Sequence, residues 1–335
     1  MYKTFHIFIL LLLLTISCQK DDLINNFPAG VSFDVTSRLL EGKHITCIDT
    51  DSKGNVCIAS GKELYFTNNK IFKSYNLEFQ ILDLAIAPDG TVWIGTDGRG
   101  LGHFTGNGFT WYTSANAGFP RDVIWSIKIA PNGNIWFTSC AFRVGGLGFY
   151  DGVKFKFYTP ENSHLNQNII QDIEIDQDGN VYIATNGTIG RTNIYRISDN
   201  SWDCLGDEKG MFYWVNSFTV GQSGIIYLVE DFSLSSSSFN NNALFEFRDN
   251  NWQKIETDDM PYLSFFSLVK TDKRNYCWMI NLLASSSIMH VYNGESWLSS
   301  PEGTFPDDYI TTFEIDSDNN IWVGTSKNGV FIFNQ

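Results

Sequence analysis

The sequence has few cations, prolines and histidines, and its charge balance already narrows the set of functions. Its 335 residues include 23 Lys and Arg against 37 Asp and Glu, a formal net charge of −14. Binding to nucleic acid needs clustered cations that displace counterions from phosphates, so this balance argues against nucleic acid as a partner. Hydrophobic residues make up 43% of the chain and charged residues 18%, which excludes disorder as the main state.

Long apolar runs are also lacking. Phe5–Leu14 is apolar but too short for a mature transmembrane helix, and Thr15–Cys18 follows it. This arrangement resembles a bacterial lipoprotein signal in which residues 1–17 are removed and Cys18 is acylated; an ordinary secretory signal is the alternative. The acidic tether at 18–30 begins with Gln19–Asp22, which is similar to signals that export lipoproteins to the cell surface. We expect a lipid-anchored outer-membrane protein, exposed at the surface or else facing the periplasm, with the lipid as its only membrane attachment.

One pattern recurs from residue 31 to residue 335. An alternating apolar run leads into an Asp/Asn/Gly turn, and a short apolar strand with an aromatic residue at a fixed place follows. The clearest copies are Ala87–Thr96, Ala130–Thr138, Asp176–Thr185 and Asp316–Thr325. The fixed position falls at residues 57, 93, 136, 182, 227, 278 and 322, a mean spacing of about 44. Seven units with room for four strands each predict an all-β fold, a seven-bladed β-propeller.

The strand pattern within a unit predicts how the ring closes. In the second unit we expect four strands, the first two joined by a two-residue Asp-Gly loop, at Ile81–Ala87, Thr91–Thr96, Leu101–Phe104 and Phe109–Thr113. The last unit ends at its third strand, Val330–Phe333, and Val31–Thr36 precedes the first unit without a blade of its own. Pairing these two segments completes the last blade and removes the open sheet edges.

The repeat resembles the two-component regulator propeller repeat over most of residues 31–335. Besides the Gly-x-Ile/Val-Trp core, the resemblance rests on Phe157–Pro160 and Leu165–Ile173. Such repeats commonly form the extracytoplasmic sensor of membrane-spanning kinases. This chain has no kinase, no DNA-binding domain and one propeller in place of a pair, so the resemblance implies binding of a ligand or partner rather than signalling.

Signals for catalysis, metal or cofactor are weak, and we expect no catalytic residue, no metal and no cofactor. The four histidines outside the signal lack metal-ligand spacing, so each is predicted at a turn or blade surface: His44, His103, His164 and His290. Gly98–Gly102 and Gly145–Gly148 are not followed by helices, so they are predicted strand-entry glycines rather than phosphate loops. Asp49–Gly54 and Asp316–Asn320 resemble calcium loops without the closing Glu and are predicted structural turns.

Five cysteines remain besides Cys18, an odd number that cannot all pair. The repeat alignment places Cys57 opposite Thr50 and Cys47 opposite Ser60, which directs the two sulfurs to opposite faces. We therefore expect buried thiols rather than a disulfide.

Cations recur on one propeller face. The loops between second and third strands carry Arg99, Arg143 and Arg191, and Lys327 occupies this loop in the seventh unit. They are predicted either to brace neighbouring loop carbonyls or to form a ligand-binding crescent for a carboxylate or sulfate group. Trp125, His164 and Trp214 lie near the same rim, where they are predicted to stack on sugar rings.

Two functions therefore remain open. The first is a non-catalytic binding module for a glycan, a peptide or a partner protein. The second is a propeller lyase or hydrolase similar to streptogramin lyase, which uses His and Glu with a divalent metal at the channel mouth. No His-x-His or Glu-x-His pair occurs in this chain, so those residues are not carried over, and the sialidase Asp-box differs in its Asp-to-Trp spacing. The binding module is the preferred prediction.

Overall fold

The chain folds into seven antiparallel sheets. The computed structural model describes residues 31–67, 71–141, 144–186, 192–199, 201–206, 212, 215–230, 243–258, 260–261, 266–283, 286–305 and 308–335. Within these ranges each sheet has four strands, and each innermost strand contacts the innermost strands of both neighbouring blades. The innermost strands therefore form a closed ring, which confirms the seven-bladed β-propeller.

The strands follow the predicted meander from the inside of each blade outward. After β1 (Val35–Leu39), blades 1 and 2 contain β2 (Cys47–Thr50), β3 (Val56–Ser60), β4 (Glu63–Thr67), β5 (Ile71–Asn76), β6 (Ile81–Ile86), β7 (Val92–Thr96), β8 (Leu101–Phe104) and β9 (Phe109–Tyr112). A four-residue helix, α1 (Ser114–Ala117), leads into blade 3. Blades 3 and 4 contain β10 (Ile124–Ile129), β11 (Ile135–Ala141), β12 (Val144–Tyr150), β13 (Phe155–Tyr158), β14 (Ile170–Ile175), β15 (Val181–Asn186), β16 (Thr192–Ser198) and β17 (Ser201–Cys204).

The remaining three blades continue the same order. Blades 5 and 6 contain β18 (Val215–Val220), β19 (Ile226–Glu230), β20 (Ala243–Arg248), β21 (Asn251–Lys254), β22 (Phe266–Thr271), β23 (Cys277–Leu282), β24 (Ser287–Tyr292) and β25 (Trp297–Ser299). Blade 7 contains β26 (Ile310–Ile315), β27 (Ile321–Thr325) and β28 (Val330–Phe333), and β1 supplies its outer strand. No described helix is long and apolar enough to span a bilayer.

The N-terminal segment closes the ring, but later in the sequence than predicted. The outer strand of blade 7 begins at Val35, opposite Phe333, and ends at Leu39, opposite Val330. The predicted strand at 31–36 is therefore corrected to Val35–Leu39. The preceding residues pack against the blade core instead, since the ring of Phe33 lies edge-on to Trp278 with 5.8 Å between centroids.

The first hairpin of each blade is one residue longer than predicted. In blade 2 the Gly90 amide donates to the Ala87 carbonyl at 2.8 Å, and the Ala87 amide donates to the Thr91 carbonyl. Gly90 has φ of 85° while Asp89 does not enter the positive region, so this is a three-residue loop ending in a left-handed glycine. The longer loop changes the register of the hairpin.

The same longer hairpin corrects the cysteine register in blade 1. Cys57 pairs with Asp49 rather than Thr50, and Cys47 pairs with Ala59 rather than Ser60. None of the five described cysteines forms a disulfide, and four are buried, as expected. Cys204 is exposed, because it ends an outer strand that no further strand covers.

The cores lie between blades, where each apolar face meets the next. The cluster around Phe137, for example, combines residues of blades 2 and 3, including Trp93 and Ile127. Glycines allow this close packing: a Cβ on Gly148 would collide with the ring of Phe137. The glycines of Gly145–Gly148 thus serve strand packing, as the sequence predicts.

Candidate functional site

The seven innermost strands enclose a central channel with a cavity of about 450 Å³. In six of these strands the ladder register shifts near the start of the strand, as in β10 between Ile124 and Ile127. Such a bulge leaves a residue unpaired and redirects its side chain. The bulge residues that line the cavity at this end are Leu82, Trp125, Ser126, Gln171, Asn216, Leu268 and Thr311. We call this end the channel mouth.

Trp125 is the exposed aromatic side chain at the channel mouth. Its side chain is 56% exposed, whereas the Trp of the repeat position in the same blade, Trp136, is buried. The indole N–H of Trp125 donates to the Cys140 carbonyl at 3.0 Å, which fixes the ring orientation. The structure thus presents a fixed aromatic surface to solvent at a cavity that the amide of Gln171 also lines.

Alternation along the inner strands separates a core face from a channel face. One set of positions is apolar and buried, and it comprises Ile48, Leu84, Ile127, Ile173, Phe218, Val269 and Phe313. The positions between them reach the channel and carry most of its charge, at Asp49, Asp83, Lys128, Asp172, Glu174, Lys270 and Glu314. Strand alternation with a period of two therefore builds a charged wall from otherwise ordinary propeller strands.

The charged side chains of the channel connect adjacent blades. Lys128 Nζ lies 3.0 Å from Glu174 Oε1 in the next blade. Lys270 Nζ lies 2.7 Å from Glu314 Oε2 in the same way. The Ile86 amide donates to Asp49 Oδ2 at 2.6 Å across the blade 1–blade 2 boundary. These bonds use the channel charges to hold the ring together.

Two further aspartates make the same kind of inter-blade bond. The Ile127 amide of blade 3 donates to Asp83 Oδ2 at 2.7 Å. In blade 5, the Ser217 hydroxyl donates to Asp172 Oδ2 at 3.3 Å. Each carboxylate thus accepts hydrogen bonds from the following blade, and Asp172 also accepts one from the Ile173 amide of its own strand.

Burial inside the ring shifts the protonation of these groups. It raises the pKa of Asp49 to about 7, helped by the charge of Glu314, and the pKa of Asp83 to about 6. Burial and the nearby Glu174 raise the pKa of Asp172 to about 7. Burial opposes the charge of Lys128, but the carboxylates around it outweigh that effect and raise its pKa above its usual value. The channel therefore keeps its lysines charged and some of its aspartates protonated near neutral pH.

The structure separates the other predicted rim residues from the channel. The Arg99 guanidinium is exposed and lies over the rings of Phe79 and Trp111, 5.3 and 5.7 Å from their centroids. His164 is exposed near Trp202, with 6.3 Å between ring centroids. Lys327 is exposed in the turn between β27 and β28. None of these three lines the channel cavity.

Three predicted residues, Arg143, Arg191 and Trp214, lie outside the described ranges, as does the predicted lipidation site Cys18. Of the described rim residues, the structure thus brings Trp125 alone to the channel. A ligand-binding role for the rim residues stays a prediction, and so does acylation of Cys18.

The two acidic turns that resemble calcium loops use their aspartates for hydrogen bonds within the turn. Asp51 accepts from the backbone amides of Lys53 and Asn55 at 2.9 and 2.8 Å, and Asp316 accepts from its own turn in the same way. In the described part of the chain, no group of three or more His, Cys, Asp or Glu is arranged to hold a metal ion.

The prediction that every histidine lies at a turn or blade surface is wrong for His290. It lies on β24, buried inside the sheet, with Nδ1 2.7 Å from the Ser299 hydroxyl. Burial lowers its pKa to about 4, so the imidazole is neutral.

The sequence reasoning missed the charged channel. A signal was present: the residue eight positions before the repeat aromatic is Lys128, Glu174, Lys270 or Glu314 in four blades. Charged residues at the centre of an alternating apolar strand indicate a lined cavity or partners on another strand.

Comparison with known proteins agrees with this architecture. A family model described as two component regulator propeller matches residues 164–187 and 304–327, which cover the inner hairpins of blades 4 and 7. No curated protein matches the sequence significantly.

Solved structures share the fold at low identity. A virginiamycin B lyase from Staphylococcus aureus superposes with a TM-score of 0.68 and 17% identity over 90% of this chain and 98% of its own. A streptogramin B lyase gives a TM-score of 0.66 and 14% identity over 89% and 96%. The extracellular domain of a hybrid two component system from B. thetaiotaomicron gives 0.65 and 18% over 88% of this chain.

This chain spans 39% of the length of that regulator structure. At these identities the likeness shows the fold alone, and the family model matches two segments of the chain, in blades 4 and 7. The chain is thus a seven-bladed β-propeller, and its segments 164–187 and 304–327 match the two component regulator propeller repeat that the sequence pattern resembles.

Proposed function

We propose that this protein is an outer-membrane lipoprotein exposed at the cell surface, whose propeller binds a ligand at the channel mouth without chemical conversion. The single observation that carries the binding function is the fixed and exposed indole of Trp125. A large apolar ring held in place at a concave opening provides contact area at little entropic cost. The Cys18 motif and the extracellular origin of a regulator domain with the same fold support the location.

The chemistry of the mouth favours a glycan over the other two ligand classes, a peptide and a partner protein. Gln171 and Asn216 place amides, and Thr311 a hydroxyl, around the opening that Trp125 borders. An aromatic face with neutral hydrogen-bonding groups suits sugar rings, which offer C–H faces and hydroxyls. Both channel lysines already pair with carboxylates, and the three channel aspartates accept from backbone amides or a hydroxyl, so the channel does not call for an ionic ligand.

Arrays of neutral and acidic glycans, with peptide and outer-membrane protein pools as further arms, test this proposal on the full chain in detergent. Trp125→Ala should abolish binding, because the aromatic face is lost while the buried cores are untouched. Val153→Ala provides the control, since Val153 is an exposed apolar residue in the turn between β12 and β13, on the opposite propeller face. Binding that survives Trp125→Ala contradicts a channel-mouth site.

The same experiment also tests whether the protein converts the ligand that it binds. Bound ligand recovered from the protein is analysed by mass spectrometry for cleavage or elimination products. Conversion of the retained ligand contradicts the non-catalytic proposal and supports the lyase or hydrolase alternative.

A further inference from the structure

A second cavity lies between blades 2 and 3, on the propeller face opposite the channel mouth. Its volume is about 410 Å³, within the range of roughly 300–1,000 Å³ typical of small-molecule sites. The first hairpin turns of both blades and the turn after β12 surround it. Its lining residues include Pro88, Asp89, Trp93, His103, Asn132 and Tyr150.

This cavity lies at a blade where the repeat departs from its own rule, as blade 3 also does with Ala130. In three other blades, an Asp six residues before the repeat aromatic accepts its ring donor. Trp322 Nε1 donates to Asp316 Oδ2 at 3.0 Å, Trp278 Nε1 to Asp272 Oδ2 at 3.1 Å, and the Tyr182 hydroxyl to Asp176 Oδ2 at 3.1 Å. Blade 2 has Ala87 at this position, so Trp93 lacks the carboxylate acceptor.

The hairpin turn of blade 2 is satisfied without the missing carboxylate. Asp89 Oδ1 accepts from the Thr91 amide at 2.9 Å and from the Thr91 hydroxyl at 2.7 Å. The indole N–H of Trp93 makes no hydrogen bond to a described residue, and Trp93 lines the cavity. The substitution of Asp by Ala thus leaves the turn intact and the indole donor unpaired at the cavity.

In blade 5, which also lacks this Asp, a side chain of the neighbouring blade occupies the space that the Asp side chain would fill. There Gly221 replaces the Asp, and the side chain of Asn275 from blade 6 fills the space, with Oδ1 accepting from the Ser223 amide at 3.1 Å. The residue of blade 3 that corresponds to Asn275 is Gly133, which lines the cavity and has no side chain. The gap in blade 2 is therefore left open.

Three further side chains at the cavity wall have polar atoms that could form hydrogen bonds with a ligand. His103 stacks on Trp93 with 4.1 Å between ring centroids, and its buried Nε2 has no partner among the described residues. Within the described ranges Asp89 Oδ2 accepts no hydrogen bond from the protein, and the Asn132 side chain uses only its Oδ1, which accepts from the Asn134 amide. The cavity thus offers donors and acceptors on different sides, between proline and tyrosine surfaces.

We propose that this cavity binds one neutral sugar residue, whose hydroxyl oxygen accepts the unpaired Trp93 N–H and whose other hydroxyls reach Asp89 and Asn132. Hydroxyl groups both donate and accept, which matches the mixed set of groups at the wall. The carboxylate of Asp89 disfavours a ligand carboxylate in the same place. This site is separate from the channel mouth and does not depend on the function proposed for it.

Titration of the full chain in detergent with D-glucose, D-galactose, D-mannose and N-acetyl-D-glucosamine tests the site, with saturation-transfer NMR as the readout. We expect saturable binding of at least one of these sugars. D-glucuronate, which carries a carboxylate on the same ring as glucose, should bind at least tenfold more weakly than the preferred sugar. Absence of saturable binding for all four neutral sugars overturns the proposal, as does preference for glucuronate.

Three variants locate the binding. Ala87→Asp restores the internal acceptor found in blades 4, 6 and 7, so it should abolish sugar binding at this cavity and raise the melting temperature. Trp93→Phe removes the N–H and should weaken binding at least tenfold. Ala130→Asp makes the same change in blade 3, outside the cavity lining, and should leave binding unchanged.

To remove the channel-mouth site, each variant is measured in the Trp125→Ala background, in which binding at the inter-blade cavity should persist. Binding that persists in Ala87→Asp alone but is lost in Trp125→Ala overturns the inter-blade site and supports the channel mouth instead. Loss of binding in Ala130→Asp as well as Ala87→Asp also overturns it, because the effect would then be independent of the cavity.

Discussion

Replacing Asp49 with Asn should stabilise the fold above neutral pH, although it removes a side chain that holds two blades together. Asp49 Oδ2 accepts from the Ile86 amide at 2.6 Å, and the carbonyl of Asn can accept the same bond. The change therefore removes the charge and keeps the acceptor. Burial and the charge of Glu314 make that charge unfavourable in the folded state.

The pKa of Asp49 sets both the sign and the size of the effect. Its pKa rises from 3.8 to about 7 on folding, so between these values the folded state binds more protons than the unfolded state. The wild type must then lose stability as the pH rises from about 4 to about 7, whereas Asp49→Asn does not. One pKa unit is worth about 1.4 kcal/mol, which gives at most about 4 kcal/mol; water in the channel screens the charge, so we expect about 2–4 kcal/mol at pH 8.

Urea denaturation followed by tryptophan fluorescence at pH 5, 6, 7 and 8 measures this difference. The gap between Asp49→Asn and wild type should widen across the series and level off above pH 7. Asp83→Asn is the matched comparison, because the pKa of Asp83 rises only to about 6, so its gap should be smaller and level off about one pH unit earlier. A gap that is the same at pH 5 and pH 8, or a variant less stable than wild type at pH 8, refutes the reasoning.

Three further changes test packing and closure. Gly148→Ala places a Cβ against the ring of Phe137 and should cost about 1–3 kcal/mol, measured by urea denaturation; an unchanged midpoint would show that the blade relaxes freely. Trp322→Phe removes the indole bond to Asp316 and should cost about 1–2 kcal/mol, visible as a lower melting temperature than wild type. Deletion of residues 31–39 exposes the edge of β28 and should cause aggregation in light scattering, while a monodisperse and equally stable protein would argue against strand closure.

The sequence determined the architecture because each blade is specified locally. Apolar alternation, the turn glycine and the repeat aromatic occur within about a dozen residues, so their spacing alone predicts seven hairpins and their order. Closure was also predictable, since an unpaired strand pattern stands at each end of the repeats. The exact bounds of the closing strand could not be predicted, because Val31 and Phe33 are as apolar as a strand requires but pack against the blade core instead.

The hairpin register was misjudged for a similar local reason. Asp-Gly is typical of two-residue loops, but Gly90 here ends a three-residue loop, and the sequence pair alone does not distinguish the two. The cysteine positions shifted by one residue as a result. The observed register places Cys47 and Cys57 on the same face of the blade and in one core cluster, so the predicted opposite faces are wrong, although the two cysteines form no disulfide.

Only the tertiary structure decided the sites. The channel charges of Asp49 and Glu314 meet although they stand far apart in the sequence, because ring closure brings blades 1 and 7 together. The Arg99 guanidinium lies over Phe79 and Trp111 rather than at the channel, since side-chain direction depends on which neighbouring rings are within reach. The sequence shows Ala87 where other blades have Asp, but whether a neighbouring blade fills the gap depends on packing across the ring.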